Sequence, residues 1–274
     1  MNLKHGHSQH DPTLFQGTAW YYARYRSPYP REFFDHLAQV FQLDGRGRVL
    51  DLGCGTGQLA IPLTAYFDQV VAMDPDPEMI AEVSAAGNRG GLSNLDVVLG
   101  SSLDLSPAVG EFRLVTMGES FHWMDRDQVL RTQATMIVPG GGLAIASKKF
   151  KMPAGYQETL DQLLKGFLGE KRRAGQSYYS HPEERHETVL VRSSFVMLDA
   201  WKQECTYDWT IDDAIGYLYS TSYANKRLLG DQAEHFEQEL RRVLVQIEPQ
   251  GVFKIGVTVS ALLARKESSA SGRG

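Results

Sequence analysis

The chain has 274 residues, 42% hydrophobic and 22% charged, with a formal net charge of −5, enough to bury a sizeable core. The acidic balance, with no clustered stripe of Lys and Arg, argues against nucleic acid as a partner. No uncharged apolar run approaches a membrane span, the start lacks a signal-peptide core, and the two cysteines, Cys54 and Cys205, form no CxxC pair, so the reading is a cytoplasmic, metal-free protein without a disulfide framework.

In chain order, His5, His7 and His10 read as a polar terminus rather than a metal site. Segment 29–43 predicts a helix with Phe33, Phe34, Leu37, Val40 and Phe41 on one face. From 46 to 147 strands (48–51, 69–73, 95–99, 112–117, 142–147) alternate with helices (57–66, 77–86, 125–136), a rhythm that implies parallel pairing with right-handed crossovers. Asp76 and Pro77 open the second of these helices as cap and first residue, and VPGGG at 138–142 reads as a turn. Segment 156–192 reads as largely helical around a loop at 174–182, 195–207 as a strand, 211–221 and 231–248 as helices, and 252–264 as a closing strand. The basic runs Lys171–Arg173 and Arg241–Arg242 read as solvated helix faces, and the last residues, 267–274, as a disordered tail.

The stretch RVLDLGCGTGQLAIPL, 48–63, carries Gly53, Gly55 and Gly57 on alternate positions behind Asp51. A glycine loop between a parallel strand and a helix brings backbone close to a ligand at the carboxyl edge of the sheet. The dinucleotide fingerprint needs one more residue between its last two glycines, and a pyrophosphate would be repelled by Asp51. The loop also lacks the Lys of a phosphate-cradling loop. Asp74, at the end of the second strand about twenty residues on, can accept two hydrogen bonds from a ribose diol. A ligand with a ribose but no phosphate follows.

With VLDLGCGTG, VVAMDPDPEMI, LGSSLDL and FRLVTMGESFHWMD on the page, the sequence resembles a class I S-adenosylmethionine-dependent methyltransferase, in the small-molecule branch called type 11. The N-terminal YYARYRSPYP resembles a lead-in common in that branch. The resemblance implies an α/β fold: a Rossmann-like, doubly wound, mostly parallel seven-stranded sheet with helices on both faces, plus helical cap insertions. It implies residues 1–45 as a helical lid segment, 46–150 as the cofactor half, and 151–266 as cap helices and last strands. It places Gly53, Gly55 and Gly57 against the methionyl moiety of S-adenosylmethionine, with Cys54 between them as a small spacer. Asp51 would hold the loop and the amino group, and Asp74 the ribose. Pro75, Ser101, Ser102 and Leu103 would border the adenine, with Ser101 where relatives often have an acid. Gly118 and Glu119 would lie beside the methionyl end.

Methyl transfer from a sulfonium needs alignment, and a base only if the acceptor must lose a proton. His122, past the fourth strand, would be that base or a pocket-shaping residue. Trp123 would pack beside the cofactor or in the core, and Glu119 would touch an amine or lie in solvent. Tyr22 and Arg26, in the aromatic run 20–26, would hold the cofactor carboxylate under a lid, unless that run is a plain hydrophobic dock. Tyr178, Tyr179, Tyr219 and Tyr223 would line the acceptor site. The expected function is methylation of a small molecule at oxygen, nitrogen or carbon, with demethylated S-adenosylhomocysteine as product, by a monomer or homodimer without nucleic-acid or membrane partners. The alternatives are action on RNA or protein, a non-methylating protein that binds the same cofactor, and a nicotinamide oxidoreductase.

Overall fold

The structure, a computed structural model, describes residues 13–170 and 184–267, and the backbone alone of two short paired strands, Arg173–Ala174 and Ser177–Tyr178. The three N-terminal histidines, most of the 174–182 loop and the tail beyond 267 lie outside the described residues, as does Tyr179.

Seven strands form one sheet: β1 (Arg48–Leu52), β2 (Gln69–Asp74), β3 (Leu95–Leu99), β4 (Phe112–Gly118), β5 (Ile137–Lys151), β6 (Phe195–Thr210) and β7 (Val252–Lys266), in the order β3-β2-β1-β4-β5-β7-β6. The first five pair in parallel, and β7 runs antiparallel to both of its neighbours. This is the doubly wound, mostly parallel sheet that the sequence predicts. The order reverses between β1 and β4, which opens a crevice at their carboxyl ends.

Alternation along each strand splits the core in two. Val49 and Leu114 face the layer that holds the helices α2 (Arg31–Val40), α4 (Pro77–Arg89), α6 (Tyr156–Leu168), α8 (Ile211–Tyr219) and α10 (Ala233–Ile247). Leu50 and Val115 face α5 (Arg126–Met136) and α7 (His186–Val191). A short helix, α1 (Ala19–Tyr25), precedes α2 and lies across the crevice. Asp76 caps α4 by accepting the Glu78 N–H at 2.8 Å, with Pro77 at the first helical position. Among the described residues, no helix is long and apolar enough to cross a membrane.

Two elements depart from expectation. The helix predicted over 57–66 contracts to α3 (Ala60–Leu63): Pro62 has no N–H to give the Gln58 carbonyl, and the chain beyond continues in tighter turns, such as Ala65 N–H to the Pro62 carbonyl at 3.3 Å. The 138–142 turn is instead a bulge within the long strand β5: pairing jumps from Phe112–Ile137 to Leu114–Gly142.

Candidate functional site

The glycine loop between β1 and α3 is fixed by the acid that precedes it. Asp51 is buried between β1 and β4, where one oxygen accepts the Thr116 hydroxyl at 2.8 Å and the other the Ala60 N–H at 3.1 Å. Burial raises its pKa to about 7. Gly53 and Gly57 adopt φ of +71° and +90°, a region that side chains with a Cβ rarely enter. A Cβ on Gly53 would sit 2.5 Å from that of Ser120, and one on Gly57 would sit 2.7 Å from Val83 on α4. The first glycine therefore lets β4 close on the loop, and the last lets α4 close on it. Gly57 lines no part of the cleft described next, and its close packing against Val83 and Ile61 accounts for the glycine.

An outer cleft lies over the loop, lined by Gly53, Gly55, Asp74, Pro75, Ser101, Ser102, Gly118, Glu119 and Trp123 from the predicted set, with Tyr22 on its roof. Asp74 stands at the tip of β2. Its Oδ2 accepts the Gly55 N–H at 2.8 Å and its Oδ1 the Asp76 N–H at 2.9 Å. Burial raises its pKa to about 6. Each oxygen keeps a further lone pair for a hydroxyl. Asp76 lines the same cleft, and its Oδ2 is buried without a hydrogen-bond partner, an acceptor waiting for a donor. Sequence reading saw Asp76 only as a helix cap. Leu14, Phe15, Met79 and Met124 complete the walls. Phe15 stands edge-on to both Tyr22 and Trp123, at 6.3 and 6.1 Å. Ser101 donates its hydroxyl and its N–H to Asp104, so an acid does return to this corner, three residues on.

A small inner chamber opens from the outer cleft between Tyr22, Gly53, Gly118 and Glu119. Asp51, Cys54, Arg26, Ser27, Tyr29 and Lys148 line it. Burial pushes the Cys54 thiol well up, so it stays a protonated spacer. The Arg26 guanidinium packs on the rings of Tyr22 and Tyr217, 4.6 and 4.8 Å from their centroids, and donates to the Ser220 hydroxyl at 2.7 Å. Glu119 holds φ at +56° and accepts the Lys148 N–H through Oε1 at 2.8 Å. Its pKa is raised by burial. The Lys148 ammonium donates to the Ser27 carbonyl and lies 3.8 Å from the Tyr29 ring centroid. Burial lowers its pKa to about 7, against the attraction of Glu119. Lys148 escaped the sequence reading; the Lys-Lys pair at the end of the fifth strand was its only local signal.

Several predicted residues stand elsewhere. His122 lines neither chamber: its ring packs 4.7 Å from Trp123 and 6.5 Å from His186, and burial, reinforced by His186 and Arg126, lowers its pKa to about 4. Leu103 is 58% exposed and outside the cleft, because the chain turns outward after Ser102. Tyr219 is buried in the core, its hydroxyl 3.2 Å from Glu237 and its ring 5.2 Å from Tyr21. Tyr223 lines neither chamber, and the side chain of Tyr178 lies outside the described residues.

The donor set fits the expected cofactor. Two acids at the β2 tip suit a ribose, and the inner chamber sets cations and carboxylates together, as an amino-acid end requires.

Residues 49–141 match a family model described as a methyltransferase domain. An uncharacterized methyltransferase of Mycobacterium tuberculosis is 30% identical over 158 residues, 57% of this chain and 61% of the relative. The chain thus spans about three fifths of that relative's length. The trans-aconitate 2-methyltransferase of Mycobacterium sp. (strain KMS) is 28% identical over 235 residues, 80% of this chain and 86% of the relative. Among solved structures, a putative type II methyltransferase from Anaeromyxobacter dehalogenans shares the fold, with a TM-score of 0.60 at 21% identity over 88% of this chain and 98% of that one.

Proposed function

We propose that this chain, whose residues 49–141 form a class I S-adenosylmethionine-dependent methyltransferase domain of the type 11 kind, transfers a methyl group from that cofactor to a small-molecule acceptor. The observation that carries the reading is the continuity of the two chambers: unfilled acid acceptors at the β2 tip, then the glycine loop, then a mixed-charge pocket.

In this reading Asp74 and Asp76 accept from the ribose hydroxyls, and Pro75, Ser101, Ser102 and Trp123 border the adenine. Glu119 and the backbone of Gly53 and Gly118 hold the ammonium of the methionyl end, while Arg26 neutralises its carboxylate. Asp51 acts at one remove, by fixing the loop. When bound, the cofactor supplies a methyl group already activated on a sulfonium, so the protein's task is alignment and exclusion of water. Residues 13–45 serve as the cover: α1 brings Tyr22 to 3.5 Å from the Cβ position of Gly55. The trans-aconitate methyltransferase relative supports a small-molecule acceptor. We place this activity in the cytoplasm, in a monomer or homodimer.

Calorimetric titration with S-adenosylmethionine, S-adenosylhomocysteine and NAD tests the reading. Micromolar binding of the first two without NAD is expected; binding of NAD alone overturns it.

A further inference from the structure

We propose that the acceptor is a small organic acid whose carboxylate docks at Lys148 and Ser27 on the far wall of the inner chamber. This deepens the methyltransferase reading and rests on it.

The argument is one of charge and of unmet hydrogen bonds. Arg26 and Lys148 bring two cations to the chamber, and Glu119 brings one carboxylate. Burial brings Asp51 and Lys148 both to about 7, so near neutral pH each carries part of its charge, and both Asp51 oxygens already accept protein donors. The methionyl end of the cofactor is a zwitterion and changes no balance, and its sulfonium adds one more positive charge. The occupied site therefore keeps a cationic surplus, which is costly in an enclosed space until an anion arrives.

The surplus is located at Lys148. Arg26 is clamped between two rings and tied to Ser220 on the Tyr22 side. Lys148 stands across the chamber, against Tyr29 and Ser27. The Ser27 hydroxyl lines the same wall, is 94% buried (6% exposed), and has no hydrogen-bond partner. An ammonium beside an unpaired hydroxyl is a donor pair for one carboxylate. Glu119 disfavours the opposite assignment. It already contacts the backbone of Lys148, and an acceptor with a second ammonium would add to the surplus.

The charged and titratable groups around Lys148 are Glu119 from the β4 tip, Arg26 and the neutral Tyr29 from the cover, and Cys205 from β6. An arriving carboxylate strengthens the charged form of the lysine, so binding above neutral pH should take up a proton.

The test uses the full chain saturated with S-adenosylhomocysteine, whose own affinity is measured first. Benzoate, phenylacetate, succinate and fumarate are then titrated beside their carboxamides. We expect at least one acid to bind about tenfold or more tighter than its amide. In Lys148→Met that acid should weaken by about tenfold, well beyond any change in the affinity for S-adenosylhomocysteine. Buffers of differing ionisation enthalpy should show proton uptake in the wild type at pH ~8 and none in Lys148→Met. If no acid binds the loaded wild type, if acid and amide bind alike, or if Lys148→Met keeps full affinity for the acid, the inference is overturned. The acid–amide comparison stands on the wild type alone, should the variant fold poorly. Failure of S-adenosylhomocysteine to bind sinks the methyltransferase reading, and this inference with it. Its binding without any acid sinks this inference alone.

Discussion

Glu119 reaches from the tip of β4 to accept the backbone N–H of Lys148 within β5, and does so from a left-handed backbone conformation. Such a conformation costs about 1 kcal/mol or more in a side chain that is not glycine. It is kept where a carboxylate must turn into the site rather than away from it.

Substitution should separate the anchor from the charge. Glu119→Gln keeps an oxygen for the Lys148 N–H and should change Tm little. Glu119→Ala should lose about 1 kcal/mol, or roughly 2–4 °C. Both should weaken S-adenosylmethionine binding, since both remove the carboxylate. Thermal melts beside calorimetry check this; equal cofactor affinity in wild type and Glu119→Gln would refute the charge role.

Asp74→Asn should raise the Kd for S-adenosylhomocysteine by about tenfold, and Asp74→Ala by about a hundredfold. The alanine also loses the acceptors of Gly55 and Asp76, each hydrogen bond to a charged group contributing about 1.5–3 kcal/mol. A melt of Asp74→Ala distinguishes lost contact from a collapsed loop.

Asp51 makes stability depend on pH in the opposite sense to a salt-bridged acid. Its pKa is raised by burial from 3.8 to about 7, so the folded state holds the proton that the unfolded state releases. This contribution is fully present below about pH 4 and is lost as pH rises through 7. Asp51→Asn, which cannot ionise, should gain Tm relative to wild type between pH 5 and 8, after a constant loss from one missing acceptor. A difference in Tm that is flat with pH would count against it.

His122→Gln should change kcat by less than about threefold and leave the kcat pH profile in place, because the imidazole lies outside both chambers. A loss of about a hundredfold would return His122 to the role of base.

The sheet and the meeting of Asp74 with the glycine loop were legible in the sequence because their signals are local. An apolar strand, alternate glycines and an acid at the next strand end lie within about thirty residues, and the structure sets them side by side. The inner chamber was only half legible. Arg26 stood in a recognisable aromatic run, but Lys148 meets Ser27 across 121 positions, and no periodicity announces such a pair. Tyr219 was misplaced for the complementary reason. A hydroxyl-bearing ring suits a substrate pocket and a core with a carboxylate at its edge equally well, and only packing against Tyr21 and Glu237 decides. Gly57 shows that one member of a motif can answer a packing need that the motif alone does not reveal: its missing side chain lets α4 close on the loop.

The position of β7 between β5 and β6 bears on how the chain is made. Of the seven strands it leaves the ribosome last, yet it is the one that joins β6 to the rest of the sheet. Until it inserts, β6 has no partner strand, and Val196, Met197 and Leu198 lie along that unpaired ribbon. The cofactor half can form during synthesis from neighbouring segments. The cover cannot, because α1 rests on α8, where Tyr25 packs directly over Gly216. A nascent chain would therefore carry an open cleft and a sticky strand until α8 and β7 have emerged, which makes that interval its time of greatest need for a chaperone.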